Sequence, residues 1–257
     1  MWRESGSVRI SFASLLRLAK KACRLSRSAS ISAAPQGGSS EKYFFGSIDG
    51  KNFIASTEAG AHGWTNYGKD DYCAISYNGL PQGEKPVLIG WVSNWQYASG
   101  MPTQPWRGQM SLPRRLSFAR DASGLALKQE PLIAPLRGKS FLVAWPALGN
   151  SSRGALGESA IVPNELELQF GHPRAPIFGV RLYSDEQHWT EIGFDTNKRE
   201  FYIDRTRSGA IVSADFPART RAPLAAGRPA CRGWVLSRGI CTKRHVCHDQ
   251  LDLSLVH

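Results

Sequence analysis

The 257-residue chain contains no apolar run approaching the roughly 18 residues that a membrane-spanning helix needs, so a helical membrane protein is not expected. Cysteine is scarce. The five residues Cys23, Cys73, Cys231, Cys241 and Cys247 are odd in number and thinly spread, which excludes a disulfide framework as the basis of the fold. No C-x2-C pair occurs, so the tail grouping Cys231, Cys241, His245, Cys247 and His248 lacks the paired geometry of a strong zinc signature, and no metal ligand is assigned. Acid is scarce at both ends. Residues 1–30 set seven Lys/Arg against Glu4 alone, and residues 221–257 set six against Asp249 and Asp252. Of the net charge of +11, only +1 falls between them. The body is therefore neutral, and no nucleic-acid partner is expected of it.

The first thirty residues are rich in Arg and Ser, which suits a transit peptide better than a secretory signal. Arg17 interrupts the short apolar stretch and no A-x-A site follows. They read as an extension without an evolved role, and localisation is left open. Both ends show no strand periodicity and bring little apolar surface to offset the entropy of ordering, so both are expected to be poorly ordered.

What is present is ordinary globular material, with 42% hydrophobic and 21% charged residues. From Glu41 to Phe118 short strand patterns alternate with turns. Lys42–Ile48 and Asn52–Ala55 flank Asp49-Gly50, a strong hairpin signal. Tyr72–Tyr77, Pro86–Val92 and Met110–Phe118 follow, each bounded by Gly, Pro or Asn, and no 3.6-residue period of helical length intervenes. Residues 119–145, with Gly124, Pro131, Pro135 and Gly138, read as a connection. A second block (Glu165–Phe170, Gly179–Tyr183, Trp189–Phe194, Glu200–Asp204) alternates as an antiparallel sheet would, with a turn at Asp195–Lys198. After Pro223 the pattern dissolves.

Function is most legible between Trp64 and Arg115. Trp64, Tyr67, Tyr72, Tyr77, Trp91, Trp95, Tyr97 and Trp106 are interleaved there with Lys69, Asp70, Asp71, Asn94, Gln96 and Arg107. Aromatic faces among amides and charges suit a sugar, whose ring offers C–H faces to stack and hydroxyls to bond. The same aromatics serve equally well as filling between β-sheets.

Several long motifs resemble those of glycoside hydrolase family 32, the levanases, inulinases and invertases. The stretch from Trp64 to Ala74 (WTNYGKDDYCA) resembles the family's D-Y-G-K-D-F-Y-A, and Gly90–Ala98 (GWVSNWQYA) is similar to its G-W-M-S-N-W-Q-Y-A. Pro102-Thr103, Trp106–Arg114 and Phe201–Gly209 (FYIDRTRSG) follow in the family's order. The resemblance runs from about Ile31 to Pro223. It implies an all-β chain, the last blades of a five-bladed β-propeller followed by a partial β-sandwich. The expected divisions are an N-terminal extension (1–30), propeller blades (31–120), a linker (121–145), a partial sandwich (146–223) and an aberrant tail (224–257).

The family hydrolyses β-fructofuranosyl bonds in levan, inulin or sucrose with retention, using two carboxylates about 5 Å apart. Its nucleophile lies in N-D-P-N-G, a supporting Asp in R-D-P and the acid/base in E-C. None of these strings occurs here, and Arg120-Asp121-Ala122 does not replace R-D-P. No catalytic residue and no cofactor is therefore assigned, and the chain alone is expected to be inactive. Substrate contacts implied by the motifs are Asn66, where the family has Asp, together with Lys69, Trp91, Trp95 and Trp106. Trp91 and Trp95 are both candidates for the fructosyl ring. The partner is thus a fructan or sucrose-type carbohydrate, with oligomeric state open. A rival expectation is a carbohydrate-binding remnant without hydrolysis. In the tail, a one-base slip in reading near residue 225 would account together for the lost periodicity, the clustered cysteines and the basic charge.

Overall fold

A computed structural model describes residues 14–18, 21–30, 34–102, 105, 108–121, 124–132, 165–168, 175–183, 185–209, 211–224, 234–237 and 253–255. Strands dominate, and the one helical element among the described residues is a 3-10 turn at Ala98–Gly100.

The first sheet is formed by β1 (Ser14–Leu18), β2 (Lys21–Ser30), β3 (Ser40–Asp49), β4 (Asn52–Ala55) and β5 (His62–Trp64). The Asp-Gly signal is realised. Asp49 pairs with Asn52 across a two-residue turn in which Gly50 has φ +58°, a left-handed conformation that glycine adopts without strain. The second sheet contains β6 (Tyr72–Ser76), β7 (Val87–Val92), β8 (Gln109–Met110), β9 (Arg114–Asp121) and β10 (Gly124–Pro131), in the order β10-β9-β7-β6 with β8 beside β7. Leu25, Phe45 and Ala61 of the first sheet side meet Ala74, Leu88, Leu116 and Leu125 of the second in one buried cluster. Phe45 and Phe118 close it edge to face at 4.7 Å.

β11 (Glu165–Leu168) precedes a four-stranded antiparallel sheet of β12 (Ile177–Tyr183), β13 (Trp189–Asp195), β14 (Glu200–Arg207) and β15 (Arg219–Pro223). The Asp195–Lys198 turn forms as the sequence suggests, with Asp195 Oδ1 accepting from the backbone N–H groups of Asn197 and Lys198 at 3.1 Å each. Phe194, Phe201 and Leu224 centre a second core beneath this sheet. β16 (Trp234–Ser237) and β17 (Leu253–Leu255) complete a three-stranded sheet in the order β11-β16-β17.

Four sequence readings change, one of them in the tail, where β16 and β17 form although the strand pattern of the sequence dissolves after Pro223. β1 and β2 lie within the stretch read as an unordered extension, and β2 pairs with β3 along seven positions from Arg24↔Gly46 to Ser30↔Ser40. Leu25, Arg27 and Ala29 of β2 all point inward and are buried. A charged residue in the middle of that inward set masks the two-residue period. Secondly, the expected linker begins too early, because β9 and β10 form an eight-pair hairpin through Asp121 and Gly124. Gly124 (φ +111°) sits at the hairpin turn, and Pro131 ends an edge strand, where the missing N–H costs no ladder bond. Thirdly, Met110–Phe118 is two strands, interrupted at Leu112-Pro113. The rest of the two ends, including the Cys/His grouping of the tail, lies outside the described residues.

Each of the first two sheets holds a buried ion pair, and the two pairs lie close enough to feel each other's charge. Arg27 (β2) pairs with Glu41 (β3) at 3.0 Å, and Arg114 (β9) with Asp71, just before β6, at 2.6 Å. All four side chains are nearly solvent-free. Burial pushes the Glu41 carboxyl up to about 7, against the opposing pull of Arg27. The same burial lowers Arg27, which as a guanidinium stays protonated.

Candidate functional site

The aromatic region gathers around β7 and the turn that follows it. Trp91 on β7 pairs across the ladder with Tyr72 of β6, their rings edge to face at 6.4 Å. The register slips between Tyr72 and Ile75, and Cys73 takes φ +51°, a bulge that re-aims Tyr72 relative to a regular strand. Trp95 lies beyond the strand end with its ring 5.2 Å from that of Trp91. Trp91 is half-buried, whereas Trp95 is 59% exposed, a large apolar surface left open to solvent.

What holds this pair is a buried amide. Asn94 is fully buried, and its Oδ1 accepts from the N–H groups of Ser39 and Gln96 at 3.3 and 3.1 Å, while its Nδ2 donates to the Lys69 carbonyl at 2.9 Å. One side chain thus binds three chain segments. The Trp95 N–H donates to Ser39 Oγ at 3.3 Å, fixing the backbone that carries the exposed ring. Gly38, with φ +77°, leaves room for this arrangement, since a Cβ there would collide with the Asn94 and Gln96 amides.

Gly108 plays a similar part behind Trp91. Its φ is +77°, and a Cβ would strike the indole Nε1. Gly108→Ala should push Trp91 away from Trp95 and cost about 1–3 kcal/mol through left-handed strain and overpacking. Loss of the coupled tryptophan signal in near-ultraviolet circular dichroism, together with a lowered urea midpoint, is the expected readout. A variant indistinguishable from the parent in both would contradict this placement.

Asn66 and Lys69 lie on the turn before β6 and are both buried. Asn66 Oδ1 accepts from the Gly68 N–H at 3.0 Å, while its Nδ2 is buried with no hydrogen-bond partner among the described residues. Lys69 reaches the second block of the chain. Its Nζ donates to the Asp215 carbonyl at 2.7 Å and lies 5.9 Å from the centre of the Tyr97 ring. Trp106 lies outside the described residues. The structure therefore brings Trp91 and Trp95 together with Tyr72 and turns Lys69 toward the second block of the chain.

Sequence reasoning missed the reason for that direction. Asp70, fully buried, accepts from the Tyr97 hydroxyl on Oδ1 and from Arg205 Nη1 on Oδ2, each at 2.5 Å. Arg205 also donates through Nη2 to the Tyr97 hydroxyl at 2.8 Å and through Nε to the Phe216 carbonyl at 2.7 Å. Its guanidinium stacks on the Phe216 ring at 4.2 Å. Burial and the neighbouring Asp70 carboxylate push the Tyr97 hydroxyl well above the usual phenol range, so it stays a donor. Two of the long motifs, WTNYGKDDYCA and FYIDRTRSG, thus meet in one clasp. The signal was a charged residue at an inward position of a strand, Arg205 in the set Phe201, Ile203, Arg205.

Three carboxylates near the aromatic platform are held by arginines, while the exposed Asp215 accepts from Gln96 Nε2 at 3.4 Å. Asp70 is held by Arg205, Asp71 by Arg114 and Glu41 by Arg27, and all three are buried. Among the described residues, no group of three His, Cys, Asp or Glu side chains could hold a metal ion.

Comparison with known proteins agrees with the motif reading. The family model for the "Glycosyl hydrolases family 32 N-terminal domain" matches residues 10–131, and that for the "Glycosyl hydrolases family 32 C terminal" matches residues 146–254. Levanase of Bacillus subtilis is 34% identical over 183 residues, which are 68% of this chain and 27% of the relative. The extracellular exo-inulinase of Aspergillus awamori is 30% identical over 190 residues, 68% of this chain and 34% of the relative. The chain thus spans about a quarter to a third of these curated relatives. Among solved structures, the A. awamori exo-inulinase superposes with TM-score 0.62 at 24% identity over 91% of this chain and 47% of its own. The β-fructofuranosidase of Schwanniomyces occidentalis complexed with fructosyl-erythritol gives 0.60 at 19% identity over 88% and 48%. These two likenesses establish the all-β fold.

Proposed function

The chain belongs to glycosyl hydrolase family 32, and from that premise we propose that it serves a glycosidase acting on β-fructofuranosyl bonds of fructans or sucrose by holding sugar without performing the chemistry itself. The observation that carries this reading is the contrast between the open tryptophan pair and the closed carboxylates. Trp91 at the end of β7 and the exposed Trp95 on the hydrogen-bonded turn after it present adjacent, mutually tilted aromatic surfaces, suited to a furanose or pyranose C–H face. Retaining hydrolysis needs two carboxyl groups about 5 Å apart that reach the substrate, one attacking and one exchanging protons. Asp70, Asp71 and Glu41 are solvent-excluded and paired with arginines, so none is free to attack an anomeric carbon. The motifs that carry the two catalytic groups in the family are absent from this sequence.

In this reading Trp91 and Trp95 take the sugar ring. Asn66, its amide buried and its Oδ1 accepting from the Gly68 N–H, contributes by shaping the turn before β6. Lys69 contributes indirectly, by anchoring the turn to Asp215.

The test is to incubate the chain with levan, inulin and sucrose and to assay both reducing sugar and binding. Binding of levan or inulin with no release of fructose is expected. Trp95→Ala should weaken binding by about tenfold, in line with the roughly 1.5 kcal/mol upper range of one aromatic contact. Turnover above a heat-treated control would overturn the non-catalytic assignment. Undiminished binding by Trp95→Ala would overturn the platform.

A further inference from the structure

Two clefts open on the outer face of the β12–β15 sheet, and no residue of the Trp91/Trp95 platform lines either. The larger has a volume of about 260 Å³ and the smaller about 130 Å³, and Arg219 lines both. Strand alternation builds this face. While Ile192 and Phe194 point into the core, Trp189 and Glu191 point out, with Arg207 paired opposite Trp189 and Arg181 opposite Glu191.

The polar groups there are laid out in order. Arg181 Nε donates to Glu191 Oε2 at 2.6 Å, and the Tyr202 hydroxyl donates to Glu191 Oε1 at 2.7 Å. The Arg219 guanidinium lies 3.9 Å over the Tyr202 ring and 3.9 Å from Asp204. Arg207 and Arg181 lie over the Trp189 ring at 4.7 and 5.5 Å. Arg207 is exposed and has no carboxylate partner among the described residues, so it can leave the indole face at little cost and hydrogen-bond an incoming group.

We propose that this face binds a neutral polysaccharide strand laid across the two clefts, with Trp189 under one sugar ring and Arg207, Arg219 and Asp204 on its hydroxyls. Charge decides against an anionic polymer. The larger cleft sets three guanidiniums against two carboxylates, so little net charge is left to neutralise, while donors and acceptors remain for uncharged hydroxyls. Size decides against an enclosed small ligand. Both hollows fall below the roughly 300–1,000 Å³ of a drug-sized pocket, so each suits one ring of an extended chain. The role is retention of polymer at a second point, which raises the effective concentration of substrate at the platform.

Affinity electrophoresis of the full chain in gels containing levan, inulin, dextran or dextran sulfate tests this. Retardation by at least one of the three neutral polymers is expected. Trp189→Ala and Arg207→Ala should each weaken it at least fivefold, with the same ratio in a Trp95→Ala background. Arg207 is exposed, so its variant keeps the test readable if Trp189→Ala fails to fold. The inference is overturned if neither change alters retardation by a neutral polymer, if only dextran sulfate retards the chain, or if nothing does. Sensitivity to Trp95→Ala alone would leave the platform reading standing and this one refuted.

Discussion

Arg205→Met should destabilise the chain by about 3–5 kcal/mol, the cost of leaving a buried charge without its partner. The affected group is Asp70, which would keep only the Tyr97 hydroxyl, in a site where both side chains are fully solvent-excluded. Arg205 also closes the contact between the turn before β6 and the Phe216 segment, through Phe216 O and the Tyr97–Phe216 aromatic pair at 5.3 Å. Urea unfolding followed by fluorescence is therefore expected to show a lower midpoint and, because the two cores lose their clasp, separate transitions. Adding Asp70→Asn should recover part of the loss, since removing both ions costs less than stranding one. A single variant within 1 kcal/mol of the parent would show that the clasp contributes no stability, contrary to its geometry.

Stability is also expected to fall as pH rises from 4.5 to 7. Burial lifts Glu41 from the ordinary 4.5 to about 7 in the folded chain. Between those values the folded state holds a proton that the unfolded state has released, so the stabilisation present below 4.5 is lost progressively as pH approaches 7. The slope can reach about 1.4 kcal/mol per pH unit. Glu41→Gln keeps an acceptor for Arg27 and cannot ionise, so its urea midpoint should fall less than the parent's across the same range. A parent that instead gains stability relative to Glu41→Gln toward pH 7 would mean that Arg27 wins over burial and that Glu41 is ionised in the fold.

Local signals were reliable wherever one short stretch carried the whole message. Asp49-Gly50 announced the β3–β4 turn, and the alternation of Glu165–Leu168 announced β11, because turn conformation and strand facing are decided by neighbours within a few residues. They failed where an inward position holds a charge. Arg27 hid β2 and Arg205 hid the clasp, since a pattern of hydrophobicity reads a buried ion pair as exposed surface. Of the platform, the aromatic density and the motifs were legible. The separate fates of Trp91 and Trp95 were not, because exposure depends on what the facing strand and Gly108 place behind each ring.

By itself the sequence determined an all-β chain, a neutral body between basic ends, the family through long ordered motifs, and the absence of the catalytic strings. These are properties of composition, period and local order, which survive without knowing what touches what. Only the tertiary structure decided that Lys69 reaches Asp215, that three carboxylates are spent on arginines, and that Trp189 lies under two guanidiniums on an outer face. Each of those depends on partners far away in the chain, Asp70 and Arg205 being 135 residues apart. Electrostatic pairing acts over a few ångströms of space, so separation along the chain carries no trace of it.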